Sequence, residues 1–323
     1  HWLTMTSQQW LPPSAPSCST WTHDLVVIVP HERAYASTAL LYIAGGDAGR
    51  PDPEELRVAA EVAVYAGLVT AAVFQVPNQP CTFAADPGNT TRSEDALIAF
   101  TWHRFLAGDP ALSLARLPMV KAAVRALDTV QAFLPTVTPL AAPTGFVVSG
   151  ASKRGWAAWL TAAVDQRIVG LAPLVMSMLR AHTVLHHYFR SLGGWSFAFG
   201  DYSALNISSR LDTPEFAALL AVEDPFAYAA RLVMPKLLVS SADDEFFMLD
   251  DYKFFLAELP DPTHILIAPN VDHTMATGVK EIVSAVSAFA AAAASTREPP
   301  RGRGHLGVVP RAGGGVDSRK GAA

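Results

Sequence analysis

One segment of this sequence is typical of a short strand that runs through a tight turn directly into a helix, an arrangement found in few folds. Residues 145–148 read Gly-Phe-Val-Val, residues 149–152 read Ser-Gly-Ala-Ser, and residues 154–164 carry tryptophans three positions apart, as on one helix face. A sharp strand-to-helix turn holds a serine hydroxyl clear of the backbone. Ser152 is therefore our candidate nucleophile.

This turn departs from the usual Gly-x-Ser-x-Gly pattern of such nucleophile elbows. Arg154 stands where the second glycine is expected, and glycine follows one position later, at Gly155. A serine at a strand-to-helix turn is most often only a helix N-cap. The motif therefore needs further partners to support a catalytic interpretation.

The order of residues after Ser152 supplies candidate partners. One predicted strand leads into three consecutive carboxylates at 243–245, and the next predicted strand leads into His273. Hydrolases with a nucleophile elbow place the acid and then the histidine after it in the chain. We assign Asp244 as the orienting acid and His273 as the base, and the two neighbouring carboxylates stay open as alternatives for the acid.

An oxyanion hole needs two backbone N–H donors aimed at the developing negative charge. In hydrolases with a nucleophile elbow, one donor is the backbone N–H of the residue after the nucleophile, which is Lys153 here. The other donor lies in the loop after the third strand. We assign the second to Gly46 in the Gly45-Gly46 turn, where missing side chains let the backbone approach a substrate.

Two positive charges, Lys153 and Arg154, stand beside the nucleophile. They could attract an anionic substrate or pair with carboxylates such as Glu94 or Asp95, and we favour a structural ion pair for at least one of them. The Gly-Gly-Asp stretch at 45–47 is too short for a dinucleotide fingerprint, so we expect no cofactor.

Strand and helix patterns alternate along most of the chain. The predicted strands are 25–29, 39–43, 69–76, 145–148, 168–175, 235–240 and 265–268, and the predicted helices are 54–65, 94–106, a stretch from about 118 to 130, 154–164 and 280–294. Ser93 is expected to cap the second helix. This α/β alternation predicts a mostly parallel central sheet with helices on both faces.

Two segments interrupt the alternation. Residues 180–231 are rich in aromatic side chains and predict a helical cap inserted between strands, with Trp195 as a candidate substrate contact. From residue 295 the composition shifts to Arg, Gly and Pro, which cannot bury enough apolar area to offset the entropy of ordering. We predict one α/β-hydrolase domain at 1–294, with the cap at about 180–231, and a disordered tail at 295–323.

Three histidines lie close together in the predicted cap, at positions 182, 186 and 187. The first two would share a helix face, but no glutamate lies between them as in a His-Glu-x-x-His zinc helix. We expect a packed or solvated cap face and predict no metal site.

Composition limits the remaining classes of function. The net charge is −5, and since residues from 297 onward carry six Lys/Arg against two Asp/Glu, the body is nearer −9. This acidity argues against a nucleic-acid partner. The longest apolar run near the C-terminal end, 288–294, is far shorter than the roughly 20 residues of a membrane span, so we expect no such span.

The cysteines and the sequons give weak support for export. Cys18 and Cys81 are too few for a disulfide framework or a zinc pattern, although they could form one bridge in an oxidising compartment. Asn89-Thr90-Thr91 and Asn206-Ile207-Ser208 are N-glycosylation sequons, which matter only in a secreted chain.

Seven ordered blocks between about residues 3 and 290 carry a family resemblance. They are Leu-Thr-Met-Thr-Ser-Gln-Gln-Trp at 3–10, Thr-Ala-Leu-Leu-Tyr-Ile-Ala-Gly-Gly at 38–46, Gln-Val-Pro-Asn-Gln-Pro at 75–80, Ser-Gly-Ala-Ser-Lys-Arg-Gly-Trp at 149–156, Gly-Gly-Trp-Ser at 193–196, Asp-Glu-Phe-Phe at 244–247 and the segment 269–273. Together they resemble the PhoPQ-activated pathogenicity-related proteins. The Ser-Lys-Arg-Gly-Trp elbow looks like a trait of that family, which would explain the displaced glycine.

The resemblance implies an α/β-hydrolase fold, export from the cytoplasm, and Ser152, Asp244 and His273 as the triad. Asn78 and Gln79, in one of the shared blocks, join Trp195 as candidate substrate contacts.

The leading hypothesis is a secreted serine hydrolase that cleaves an ester or peptide bond of a small molecule through an acyl-enzyme. An esterase resembling the glucuronoyl esterases competes with an aminopeptidase-like enzyme. The alternative is a non-catalytic secreted regulator that uses the scaffold to bind a cell-surface partner.

Overall fold

A single eight-stranded sheet forms the centre of the computed structural model, which describes residues 1–46 and 51–298. The strands are β1 (Trp2–Gln9), β2 (Thr20–Ile28), β3 (Thr38–Ile43), β4 (Val69–Val73), β5 (Gly145–Ala151), β6 (Ile168–Leu174), β7 (Lys236–Ser241) and β8 (Thr263–Ala268). Their order across the sheet is β1-β2-β4-β3-β5-β6-β7-β8. β2 pairs antiparallel with both β1 and β4, and the other neighbours are parallel.

Helices connect the parallel strands and cover both faces of the sheet. They are α1 (Pro53–Ala66), α2 (Glu94–Leu106), α3 (Arg116–Val137), α4 (Lys153–Val164), α5 (Ala181–Leu192), α6 (Gly200–Ala204), α7 (Pro214–Glu223) and α8 (Val279–Ser295). α1 and α8 pack together on one face, whereas α3 and α4 cover the other. The predicted fold class is confirmed.

The side chains of the central strands point alternately to the two faces of the sheet, and helices cover both faces. In β3, Leu40 and Tyr42 belong to the core shared with α1 and α8, whereas Leu41 and Ile43 belong to the opposite core. Successive strand residues point to opposite faces, so a strand covered on both sides is a continuous apolar run. This unbroken apolar run is the pattern that predicts β3 from the sequence.

The edge strand β1 was not predicted. Only Met5 and Ser7 of its residues are buried, because they share the one face of β1 that packs against α3. Ser93 is the N-cap residue of α2, as predicted. The Glu94 N–H donates to the side-chain oxygen of Gln79 at 2.8 Å, while the Ser93 side chain makes no capping hydrogen bond.

The cap and the C-terminal end follow the prediction in part. α5, α6, α7 and short 3₁₀ segments lie between β6 and β7, where a helical insertion was expected. Beyond α8, Glu298 Oε1 accepts hydrogen bonds from the N–H groups of Ala36 and Ser37 at 2.8 and 2.6 Å. Contacts with the domain therefore continue past residue 295, where the predicted tail begins. The remainder of that tail, 299–323, lies outside the described residues.

Cys18 and Cys81 form a disulfide, with their Cα atoms 5.3 Å apart. The bridge joins the connection between β1 and β2 to the segment that precedes α2. Within the residues that the structure describes, no helix combines the length and apolar character needed to cross a bilayer.

Candidate active site

Ser152 lies at the junction of β5 and α4, where the chain turns sharply. Its backbone has φ 53° and ψ −125°, a conformation that residues other than glycine rarely adopt. A Cβ on Gly150 would lie 2.8 Å from the carbonyl oxygen of Arg154, and a Cβ on Gly155 would lie 2.9 Å from that of Gly150. The close approach of strand and helix therefore requires glycine at 150 and at 155, which accounts for the displaced second glycine.

The structure brings together the three residues that the sequence analysis assigned as a triad. His273 Nε2 lies 2.9 Å from Ser152 Oγ, and His273 Nδ1 lies 2.9 and 3.0 Å from the carboxylate oxygens of Asp244. The Asp244 side chain is 2% exposed, and it also accepts hydrogen bonds from the N–H groups of Phe246 and Phe247. Such an acid can hold the imidazole in the tautomer that accepts a proton at Nε2.

The two neighbours of Asp244 are used differently. Asp243 is exposed, and its N–H donates to the carbonyl oxygen of Val271 at 3.0 Å. The carboxylate of Glu245 accepts a hydrogen bond from the backbone N–H of His273 at 3.1 Å. Of the three consecutive carboxylates, Asp244 is the one whose oxygens lie against the imidazole ring.

The two basic residues after Ser152 are paired with carboxylates at the start of α2. Lys153 Nζ lies 3.0 Å from Glu94 and 2.8 Å from Asp95, and the Arg154 guanidinium lies 2.5 Å from Glu94. Burial raises the pKa of Glu94, but Arg154 and Lys153 outweigh it and hold that pKa at about 2. The expected structural ion pair is confirmed, and the positive charge beside the nucleophile is balanced by acidic groups.

The loop after β3 packs against Arg154. A Cβ on Gly45 would lie 2.7 Å from the guanidinium, and Arg154 Nε donates to the carbonyl oxygen of Val76 at 2.6 Å. Gly46 follows with φ 95°. Lys153 opens α4, and the first N–H groups of a helix have no partner within it. The assignment of Lys153 and Gly46 as oxyanion donors stays a prediction.

A pocket that is partly open to solvent leads to Ser152. Its lining is mainly aromatic and aliphatic and includes Trp102, Trp156, Met176, Trp195, Phe199 and Phe246. The Trp195 ring packs against the rings of Phe189 and Phe199, with centroids 5.2 and 5.6 Å away. Cap residues thus form part of the wall, and substrate contact by Trp195 stays a prediction.

Asn78 and Gln79 make hydrogen bonds to other parts of the protein. The Asn78 side chain bonds to the backbone N–H and carbonyl of Thr22, each at 2.8 Å. The Gln79 side chain donates to Glu94 at 2.7 Å and is buried. The Gln79 bonds help to position the start of α2, whereas the Asn78 bonds hold its loop against β2. Substrate contact by either residue stays a prediction.

A buried ion pair beside the pocket was not anticipated from the sequence. Arg116 Nε lies 3.0 Å from Glu223 Oε2, with side chains 1% and 0% exposed, and the Arg116 guanidinium lies 3.9 Å above the Trp156 ring. Burial raises the pKa of Glu223, an effect that Arg116 opposes. These residues are 107 positions apart, at opposite ends of different helices, so no local pattern marks them as partners.

The strand order and the strand-to-helix serine elbow define the chain as an α/β-hydrolase-fold protein. It matches the family described as PhoPQ-activated pathogenicity-related protein over residues 1–307, and it belongs to that family. Autocrine proliferation repressor protein A of Dictyostelium discoideum is 36% identical to it over 293 residues, which are 89% of this chain and 58% of that protein. The chain thus spans little more than half the length of this relative.

Solved structures with a similar fold include esterases and other hydrolases. The acetyl xylan esterase from Paenibacillus sp. R4 aligns with a TM-score of 0.54 and 18% identity, covering 90% of this chain and 88% of that one. The alpha/beta hydrolase GrgF from Penicillium sp. sh18 aligns with a TM-score of 0.53 and 11% identity, covering 91% and 99%. At these identities the similarity is one of fold.

Proposed function

We propose that this protein is a serine hydrolase that acts on an ester or peptide bond of a small molecule through an acyl-enzyme at Ser152. The observation that carries the proposal is the hydrogen-bonded series from Ser152 Oγ through His273 to the buried carboxylate of Asp244. A serine hydroxyl becomes an effective nucleophile when an oriented base takes its proton.

Each residue has a defined task in the proposed reaction. His273 removes the proton as Ser152 Oγ attacks the carbonyl carbon, and the N–H groups of Lys153 and Gly46 stabilise the oxyanion. His273 then returns the proton to the leaving alcohol or amine, which departs as the acyl-enzyme forms. Water, activated by the same imidazole, hydrolyses the acyl-enzyme and restores Ser152.

The lining of the pocket favours an uncharged substrate with a bulky apolar group. Aromatic and aliphatic side chains surround Ser152, and the charged groups that reach the pocket, including Lys153 and Arg116, are paired with carboxylates. An unpaired substrate charge would lose its hydration there without gaining a free partner. We therefore favour esters of aromatic or branched acids.

Covalent labelling with a fluorophosphonate probe tests this function. The folded protein should be labelled, and Ser152→Ala should abolish labelling because the nucleophile is absent. Ser203→Ala is the matched control. Ser203 lines the same pocket, and in the described part of the chain no hydrogen bond joins it to His273 or Asp244. Labelling that survives in Ser152→Ala, or its absence from the folded parent, would contradict the proposal.

We further propose that the protein works outside the cytoplasm. Disulfides persist in oxidising compartments, and the Cys18–Cys81 bridge is of that kind. Asn89 and Asn206, the first residues of the two sequons, are both exposed and therefore accessible to glycosylation. Alkylation of free thiols in protein taken directly from its native compartment should leave both cysteines unmodified until a reductant is added.

A regulatory role is the second candidate, because a relative is named autocrine proliferation repressor protein A. In that case the cap would bind a cell-surface partner, and catalysis would be dispensable. Adding purified parent and Ser152→Ala protein to proliferating cells separates the two functions. An equal effect of both proteins favours the regulator, and loss of the effect in folded Ser152→Ala favours the enzyme.

A further inference from the structure

Two histidines of the cap converge on one carboxylate from a different segment. His182 and His186 lie four residues apart on α5 and so share a helix face. Their Nε2 atoms each lie 2.8 Å from Oδ1 of Asp212, which immediately precedes the N-cap residue of α7. The three potential ligand atoms lie within 4.8 Å of one another.

This set of donors matches the preference of Zn²⁺. Zinc binds imidazole nitrogen and carboxylate oxygen at about 2.0–2.2 Å, so tetrahedral ligands lie roughly 3.3 Å apart. The side chains of His182 and Asp212 are 50% and 73% exposed and are free to separate by the roughly 0.5 Å that this requires. In contrast to the sequence prediction of no metal here, we propose that His182, His186 and Asp212 form a Zn²⁺ site, with water as the fourth ligand.

The proposed site borders the wall of the pocket at Ser152. His186 and Asp212 line a second concavity together with Trp195, Ser208 and Leu211, and these last three residues also line the pocket at Ser152. A bound ion would tie α5 to the start of α7 and restrict movement of that wall. Zinc binding itself does not depend on catalysis by Ser152.

A neighbouring histidine provides the contrast. His187 Nε2 lies 3.0 Å from both carboxylate oxygens of Asp250, but Lys253 Nζ lies 2.6 Å from one of them. The ammonium group already neutralises that carboxylate and repels a cation. We therefore place the ion at His182 and His186 rather than at His187.

Calorimetric titration of Zn²⁺ into the tag-free, chelator-treated full chain tests the site. We expect saturable binding that Asp212→Ala weakens by at least about tenfold, the lower end of the losses seen for residues that merely support a ligand. The double variant His182→Ala, His186→Ala should abolish it, and His187→Ala should retain the parent affinity. Zinc should also raise the Tm of the parent but not of the double variant.

Three results would overturn the proposal: no saturable zinc binding by the parent, parent affinity in the double variant, or loss of binding in His187→Ala. The side chains of Asp212, His182 and His186 are 73%, 50% and 33% exposed, so melting curves of these variants in chelator should match that of the parent and exclude misfolding as the cause. His187 is 15% exposed, and its variant is compared with the parent in the same way. Titration with Co²⁺ gives a second readout, because coordination by these ligands produces visible absorption that disappears in the double variant.

Discussion

The Nε2 atom of His273 lies 2.9 Å from the Oγ atom of Ser152, although the two residues are 121 positions apart in the chain. Parallel pairing makes this possible. Ser152 follows β5 and His273 follows β8, and parallel strands end at the same edge of the sheet. The separation in sequence therefore has little bearing on the separation in space.

Replacing the acid should reduce turnover far more than substrate binding. Asp244→Asn removes the charge that stabilises the imidazolium and reverses the tautomer preference of His273, so kcat should fall by roughly a thousandfold or more. The matched control is Asp243→Asn, whose side chain is exposed, and it should cost much less. Hydrolysis of an activated ester by the purified variants measures both effects. The opposite ranking would move the role of the acid to Asp243.

A methyl group at the displaced elbow glycine should destabilise the protein. In Gly155→Ala the new Cβ would lie 2.9 Å from the carbonyl oxygen of Gly150 and 3.0 Å from Met176 Cβ, so strand and helix must separate. We expect a loss of about 1–3 kcal/mol in the free energy of unfolding. Gly194→Ala is the control, because nothing lies within 4 Å of its Cβ position. Urea denaturation that finds the two variants equally stable would contradict this account of the elbow.

Removing one member of the buried pair beside the pocket should be costly. Glu223→Gln leaves the Arg116 charge buried without a counter-charge, and we expect a loss of about 3–5 kcal/mol in unfolding free energy. Glu61→Gln breaks an exposed pair with Arg57 and should cost less than about 1 kcal/mol. Chemical denaturation compares the two variants. Similar small losses would show that Arg116 finds solvent or another partner.

The buried carboxyl of Asp251 should make stability depend on pH. Burial raises its pKa to about 7, an effect that Tyr188 and Ser177 oppose by hydrogen bonding and that the charge of Asp250 reinforces. The folded state therefore holds a proton that the unfolded state releases between about pH 4 and pH 7, so this contribution to stability falls as pH rises through that range.

Asp251→Asn imitates the protonated form and should remove this dependence. Relative to the parent, the variant should gain stability from pH 4 to pH 7, by up to about 4 kcal/mol, and the difference should stay constant above pH 7. Urea denaturation of both proteins across this range provides the measurement. Parallel stability curves for the two proteins would rule out Asp251 as the titrating group.

The fold class and most of the strands and helices that form it can be predicted from the amino-acid sequence. Strands such as β3 are buried on both faces and read as unbroken apolar runs, so local composition is enough to find them. The edge strand β1 was not predicted, because only one of its faces is buried and its sequence mixes polar and apolar residues. The roles of Ser152, the acidic cluster and His273 could also be predicted. The elbow and the two strand ends are each local patterns, and their order along the chain is the one that α/β-hydrolases use.

Which side chains contact one another depends on the folded arrangement of distant segments. The choice among consecutive carboxylates depends on the direction in which each side chain leaves the end of β7, and the structure directs Asp244 at His273. The burial of Arg116 against Glu223 and the approach of Asp212 to the cap histidines have no sequence signal at all. Such contacts join different segments of the chain, and their geometry is set by how the cap helices pack on one another and on the rest of the domain rather than by any local pattern.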